Sequence, residues 1–90
     1  MAKTPILHRL GANGSNSYTV PTGKHLVANI YPAEHSEITM LQVNNVQYAD
    51  LAITIEDLIM PVRGAVFPAG SVIKSSAAGA AMLTGFLYDN

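Results

Sequence analysis

The chain has 90 residues, no cysteine, a formal net charge of −1 and five dispersed Lys and Arg residues. This length indicates one domain, and the lack of cysteine excludes disulfides and thiolate metal sites. The dispersed cations argue against a nucleic-acid-binding surface, and no apolar run approaches the roughly 20 residues of a membrane-spanning helix.

The composition is poor in charge for so small a protein. Apolar residues make up 49% of the chain and charged residues 12%, whereas soluble domains average roughly 25% charged residues. Because few charges remain to solvate the large surface of a small domain, part of the apolar surface is expected to contact another chain, most simply further copies of this one. The alternative is a monomer whose surface consists of Thr, Ser and Asn.

Residues 1–16 are predicted to be an N-terminal arm and linker. The Gly-Ala-Asn-Gly-Ser-Asn sequence of residues 11–16 favours turns and flexibility. A disordered tail is one interpretation of the ten residues before it, but they are more apolar than a solvated tail requires. A secretory signal is not expected, because Pro5, His8 and Arg9 interrupt the apolar residues. The arm is therefore expected to bind a neighbouring subunit, and its partner-binding residues are predicted to be Pro5, Ile6, Leu7, His8, Arg9 and Leu10.

Three strands are predicted in the first half of the body. The first is residues 17–20, a short β-rich run that ends at a Pro-Thr-Gly turn. The third is residues 37–43. After the latter, Asn44-Asn45 is a candidate two-residue hairpin turn, because Asn tolerates positive φ. Residues 24–31, closed by Pro32, alternate with period two. One face of this strand carries Leu26, Ala28 and Ile30, and the other carries His25, Val27, Asn29 and Tyr31.

The second half continues as strands and turns. A helix over residues 48–60 is long enough to consider, but β-branched residues and strict alternation favour a strand with Leu51, Ile53 and Ile55 on one face. Residues 65–88 are predicted to form three strands, joined by a Pro-Ala-Gly turn at 68–70 and a small-residue turn at 77–81. Their apolar side chains exceed what one face of a small sheet can hide, which again favours assembly: Val66, Phe67, Val72, Ile73, Leu83, Phe86 and Leu87.

The predicted fold class is all-β. About seven short strands with turn signals every 8–12 residues are typical of a small antiparallel β-sandwich or a jelly-roll-like barrel, here spanning residues 17–90 behind the N-terminal arm. No helices alternate with the strands, so a parallel sheet is not expected. The sheet edges have few charged residues to protect them, and burial in an oligomer would cover them.

The residues that could carry chemistry do not form a recognisable site. His25, His35 and Glu37 lack the spacing of a cupin-like metal centre, and surface histidines are the favoured interpretation of these and of His8. Ser71, Ser75 and Ser76 are far from any histidine in sequence, without a nucleophile elbow. The acidic pairs are interpreted as solvated residues at turns and strand ends, and they are Glu34/Glu37 and Glu56/Asp57.

Aromatic residues offer a second kind of site, because tyrosine rings can stack on sugars. The four tyrosines are dispersed and the chain has no tryptophan, so residues at the edge of the core are the favoured interpretation of Tyr18, Tyr31, Tyr48 and Tyr88. We therefore expect no catalytic residue, no metal and no cofactor, and a chain that is not an enzyme.

Four segments together resemble small bacteriophage virion β-sandwich proteins, most closely capsid decoration (cement) proteins. They are residues 18–24 (Tyr-Thr-Val-Pro-Thr-Gly-Lys), 43–46 (Val-Asn-Asn-Val), 67–73 (Phe-Pro-Ala-Gly-Ser-Val-Ile) and 85–88 (Gly-Phe-Leu-Tyr). The chain departs from the group at 44–45, where Asn-Gly is frequent. The resemblance implies a homotrimer on the outside of a capsid that contacts the major capsid protein, without catalytic residues.

Three hypotheses follow. The first is a structural virion protein, made in the host cytoplasm and located on the capsid surface, that stabilises the capsid by bridging neighbouring subunits with avidity from several contacts. The second is a module of a head or tail fibre that binds a host-surface glycan. The third, a cupin-like metal enzyme, has the least support because its ligand spacing is absent.

Overall fold

Nine strands form two antiparallel sheets in the part of the chain that the computed structural model describes, which comprises residues 3–33, 38–53, 58–59 and 61–90. The chain is an all-β sandwich, as predicted. A three-residue 3₁₀ turn, Ala12–Gly14, follows the first strand. The strands are β1 (Lys3–Leu10), β2 (Tyr18–Thr19), β3 (Lys24–Pro32), β4 (Thr39–Val43), β5 (Val46–Ile53), β6 (Leu58–Ile59), β7 (Val62–Phe67), β8 (Val72–Ser75) and β9 (Ala81–Asp89).

The two sheets differ in their number of strands and in how far apart along the chain their paired strands lie. One sheet has four strands in the order β1-β9-β3-β7, and the other has five in the order β2-β8-β4-β5-β6. The last strand, β9, is central in the four-stranded sheet, where it pairs with β1 on one side and with β3 on the other. The first and last segments of the chain are therefore neighbours.

The core lies between the sheets and follows the period-two pattern of the sequence. Leu26, Ala28 and Ile30 are buried on β3, which confirms the predicted inward face of this strand. Alternate residues of a strand point to opposite faces, so their neighbours on β3 face away from the core. The other strands and connections complete the core with Leu10, Val20, Leu41, Leu51, Phe67, Ile73, Ala81, Leu83 and Leu87.

The N-terminal segment differs from the predicted arm. Residues 3–10 are strand β1, which pairs with β9 along its whole length, and Leu10 is fully buried in the core. Residues 11–16 form a tight connection in which Asn13, Gly14 and Asn16 have positive φ. The sequence signal was ambiguous because Gly and Asn favour tight turns for the same reason that they favour linkers.

The side chains of this connection hold it against β1. The Nε2 atom of His8 lies 2.8 Å from the carbonyl oxygen of Asn16, and the Nδ2 group of Asn16 donates to the carbonyl oxygen of Arg9 at 2.6 Å. These contacts stabilise the turn in which the chain leaves β1 and leads back to β2. The segment is therefore part of the sandwich, so the sandwich begins at β1 and not at residue 17.

The backbone angles confirm the predicted turns at 44–45 and 68–70. Asn44 and Asn45 both have positive φ between the paired residues Val43 and Val46, as a two-residue hairpin requires. Gly70 has φ 84° in the turn after β7. Residues 77–79 form bends that lead through Ala80 into β9, so the predicted small-residue turn is confirmed except for Ala81, which begins the strand.

Other predictions lie outside the described residues. They concern the start of the third strand at Glu37 and the alternation at Thr54, Ile55 and Glu56. The count of nine strands exceeds the predicted seven because β1 was expected as an arm and because the two-residue strand β6 was not expected as a strand of its own.

Candidate functional site

The outer face of the four-stranded sheet carries a row of apolar side chains across all four strands. Val27 on β3 pairs with Phe86 on β9 and with Val66 on β7, and Phe86 pairs in turn with Pro5 on β1. Directly opposed residues in antiparallel strands place their side chains on the same side of the sheet. Because Leu26 and Ala28 face the core, this row faces outwards.

Leu7 extends the row into a continuous patch. It is 72% exposed, and Val66 and Phe86 are 63% and 38% exposed. We name Pro5, Leu7, Val27, Val66 and Phe86 the apolar face. Large apolar patches on a small protein are typical of interaction sites, whereas single exposed apolar residues are common anywhere.

A groove with a volume of about 540 Å³ runs over this face between β1, β9 and β3. Apolar side chains line most of it, and Asn29 and Thr84 form its polar end. The side-chain oxygen of Asn29 accepts a hydrogen bond from the backbone N–H of Gly64 at 2.8 Å. This bond lies where the register between β3 and β7 shifts, so it fixes the shape of the groove at that end.

A second, more polar pocket of about 290 Å³ shares Asn29 and Thr84 with the groove. Its other lining residues are Tyr31, Pro61 and Arg63. The guanidinium of Arg63 can donate several hydrogen bonds in a planar fork, and the hydroxyls of Tyr31 and Thr84 can donate or accept. The two depressions therefore join an apolar groove to a polar pocket that contains the guanidinium of Arg63.

A cationic side chain lies at each end of the apolar face. The ammonium of Lys3 lies 4.6 Å from the centre of the Phe86 ring, a cation–π contact at one end of the face. Arg63 lies at the other end. Only one carboxylate occurs on the four strands, that of Asp89, and it forms an ion pair with Lys24 at 2.5 Å. The face therefore has cations at its ends and no acidic side chain within it.

The outer face of the five-stranded sheet has a different character. Gln42 on β4 pairs with Gln47 on β5 and with Lys74 on β8, so a polar row crosses the centre of this sheet. The ammonium of Lys74 donates to the side-chain oxygen of Asn45 at 2.6 Å. Among the described side chains, the row across the centre of this sheet is thus polar, whereas the row across the four-stranded sheet is apolar, and the apolar row is the candidate site.

The residues predicted to bind a partner are divided by the alternation of β1. Leu7 is exposed and Pro5 belongs to the apolar face, whereas Leu10 is fully buried. His8 is half-buried with its ring 5.1 Å from the ring of Tyr18. Ile6 packs against the core. Arg9 lies on the same side as Leu7, and the role of the exposed residues in binding stays a prediction.

Three of the candidate catalytic side chains are engaged in other contacts. The hydroxyl of Ser71 donates to the carbonyl oxygen of Pro68, and that of Ser75 donates to the carbonyl oxygen of Gly79. The ring of His25 stacks on Tyr88 at 5.4 Å. His35 and the acidic pairs Glu34/Glu37 and Glu56/Asp57 lie outside the described residues.

Among the described residues, no three His, Asp or Glu side chains lie close enough together to hold a metal ion. No helix in those parts of the chain is long and apolar enough to cross a membrane.

Three residues of the apolar face were not predicted as a site, namely Val27, Val66 and Phe86. Val27 could have been suspected, because it is an apolar residue on the otherwise polar face of the predicted strand 24–31. Val66 and Phe86 belonged to the apolar excess of the C-terminal segment, of which Phe67, Ile73, Leu83 and Leu87 are buried in the core. No protein family model matches the chain, and neither a curated protein nor a solved structure matches it.

Proposed function

We propose that this chain is a structural protein of a bacteriophage virion, located on the outside of the capsid. It binds there as a homotrimer and stabilises the capsid by bridging neighbouring subunits of the major capsid protein. The observation that carries the proposal is the apolar face, in which Leu7 and Val66 are more than 60% exposed on a chain with few charges. The phage context and the trimer come from the resemblance of residues 18–24, 43–46, 67–73 and 85–88.

Burial of the apolar face supplies the binding energy in this proposal. Removing apolar surface from water stabilises a complex by roughly 25 cal/mol per Å², and association costs several kcal/mol in lost freedom of motion. One small surface therefore gives weak binding. An oligomer presents several copies of the surface at once, so that the second and third contacts are intramolecular and the assembly binds with avidity.

The sandwich suits this role because it supplies a rigid platform. The row of Pro5, Phe86, Val27 and Val66 lies on four paired strands, not on a loop, so little ordering is needed when a partner binds. A protein that stabilises a shell by contact needs such a surface and no reacting group.

The test combines oligomeric mass with capsid binding. Light scattering of the full chain should give the mass of a trimer. Capsids assembled from the major capsid protein of the same phage should carry the chain at saturable occupancy after sedimentation, and they should then withstand heating better than undecorated capsids. A monomeric mass together with an absence from sedimented capsids would contradict the proposal, and saccharide binding on a glycan array would favour a fibre module.

A further inference from the structure

We infer that the apolar face docks on a protein segment that combines apolar and acidic side chains, and that copies of this chain do not pair through it. The inference rests on the proposed function in one respect, because the partner that presents the segment is then the major capsid protein. It assigns a chemistry to that partner and separates the capsid-binding surface from the surface that joins the copies.

The charges around the apolar face favour a partner with acidic side chains. Lys3 and Arg63 lie at opposite ends of the apolar face, and no carboxylate lies between them. The one acidic residue of the four strands, Asp89, already pairs with Lys24. A partner with carboxylates beside its apolar residues would meet both cations, and Arg63 could bind such a carboxylate through two parallel hydrogen bonds.

The same charges argue against a second copy as the occupant. Two copies packed through identical faces form an isologous contact, in which each residue meets a residue of the same surface. Lys3 and Arg63 of each copy would then lie around a dehydrated apolar centre without a carboxylate to neutralise them. Like charges brought together at an interface oppose association.

The edges of the sheet also favour docking on the face over addition of a strand. On the β1 edge, Pro5 lacks the N–H group that an added strand would need, and the Asn16 side chain occupies the carbonyl oxygen of Arg9. On the β7 edge, the register shift and the positive φ of Gly64 interrupt regular pairing. Proline and irregular geometry are common ways to block strand addition at an edge.

Peptide titration tests the chemistry without a capsid. The nitrogen-15-labelled full chain is titrated with a short peptide of alternating Leu and Glu, and with a matched peptide of alternating Leu and Lys. The Leu-Glu peptide should shift the backbone amide signals of Val27, Val66 and Phe86, with smaller effects at high salt because salt screens the charges. The Arg63→Gln substitution should weaken this binding about tenfold, whereas Lys74→Gln on the opposite face should leave it unchanged.

Three results of the titration overturn the inference. Equal shifts with both peptides would show that the charge of the peptide does not affect its binding. Shifts confined to other residues would place binding elsewhere. Shifts at Val27, Val66 and Phe86 that grow with protein concentration alone would make the face a contact between copies.

Capsid sedimentation then separates this inference from the proposed function. Val66→Asp and Val46→Asp are matched, because Val46 lies outside the apolar face and is 66% exposed. Val66→Asp should lower capsid occupancy at least severalfold with the oligomeric mass unchanged, and Val46→Asp should behave as the unsubstituted chain does.

If the unsubstituted chain fails to sediment with capsids, the proposed function fails, whereas the peptide titration still decides the chemistry of the face. If Val66→Asp sediments as well as Val46→Asp, the face is not the capsid-binding surface.

Discussion

Leu7 and Leu10 lie three residues apart on β1, yet Leu7 is 72% exposed and Leu10 is fully buried. The difference follows from alternation, because an odd separation places two side chains of a strand on opposite faces. Leu10 belongs to the core, and Leu7 belongs to the apolar face. One strand therefore serves both stability and the candidate site.

The first prediction concerns this pair of leucines. Leu10→Ala should lower the free energy of unfolding by about 2–5 kcal/mol, because it removes buried methyl groups and leaves a cavity. Leu7→Ala should change it by no more than about 0.5 kcal/mol. Urea denaturation of both variants measures the difference. Equal losses would mean that β1 does not pack as the structure shows.

Removing residues 2–10 extends this prediction to the whole strand. Under the arm hypothesis the body would keep its stability after this deletion. Since Leu10 is a core residue and β1 pairs with β9 from Ala81 to Tyr88, we expect the truncated chain to lose its cooperative unfolding transition. Loss of capsid binding by this truncation would then say nothing about the site, and single substitutions at exposed residues are the better test.

The second prediction concerns the close approach of β9 and β3. A β-carbon on Gly85 would overlap the carbonyl oxygen of Val27 and would lie 2.7 Å from the α-carbon of Ala28. These are backbone atoms, which cannot move away without separating the strands. Gly85→Ala should therefore cost about 1–3 kcal/mol of stability, the usual range for overpacking.

The neighbouring residue supplies the control for Gly85. Thr84→Ala removes a half-buried side chain from the polar end of the groove, and it should lower the free energy of unfolding by less than Gly85→Ala does. Urea denaturation measures both. A neutral Gly85→Ala would show that the strands can separate at this point without loss.

The third prediction separates the two turn residues of the β4–β5 hairpin. Both Asn44 and Asn45 have positive φ, so replacement by glycine relieves the same backbone cost in each case. Their side chains differ, because the oxygen of Asn44 accepts a hydrogen bond from the backbone N–H of Val72, whereas that of Asn45 accepts one from the Lys74 ammonium. Asn44→Gly should be less stable than Asn45→Gly by about 0.5–1.5 kcal/mol. Denaturation curves of equal midpoint would show that the bond to Val72 contributes nothing.

Local patterns in the sequence predicted most of the fold. The alternation of Leu26, Ala28 and Ile30 gave the inward face of β3, and the Asn-Asn pair gave the hairpin. Both signals depend on neighbours within a few residues. The position of β1 could not be obtained in this way, because its partner β9 lies at the other end of the chain and the Gly and Asn residues between β1 and β2 suit a linker equally well.

The candidate site was hidden for a related reason. Period two assigns Val27, Val66 and Phe86 to a face of their own strands, but it does not tell which strands are neighbours. Only the order β1-β9-β3-β7 aligns these residues in one row with Pro5. An apolar patch that spans four strands is a property of the topology, so the sequence indicated excess apolar surface without locating it.

The last prediction concerns the pH dependence of stability. Partial burial raises the pKa of the Tyr18 phenol above its ordinary value of 10.0, because the phenolate loses solvation against the core. As pH rises past this value, the unfolded chain loses the proton of Tyr18 while the folded protein keeps it. The unfolded state then binds fewer protons, so the free energy of unfolding falls with rising pH. The contribution is complete below pH 10 and is lost above it.

The Tyr18→Phe variant tests this assignment. Its free energy of unfolding, measured by urea denaturation from pH 8 to about pH 11, should decline less steeply above pH 10 than that of the unsubstituted chain, because the coupled proton is absent. Tyr31→Phe is the matched comparison for the loss of a tyrosine hydroxyl, since Tyr31 is 40% exposed on the outer face. An equal slope in all three chains would show that Tyr18 does not couple to unfolding, and the decline at high pH would then have to come from other groups.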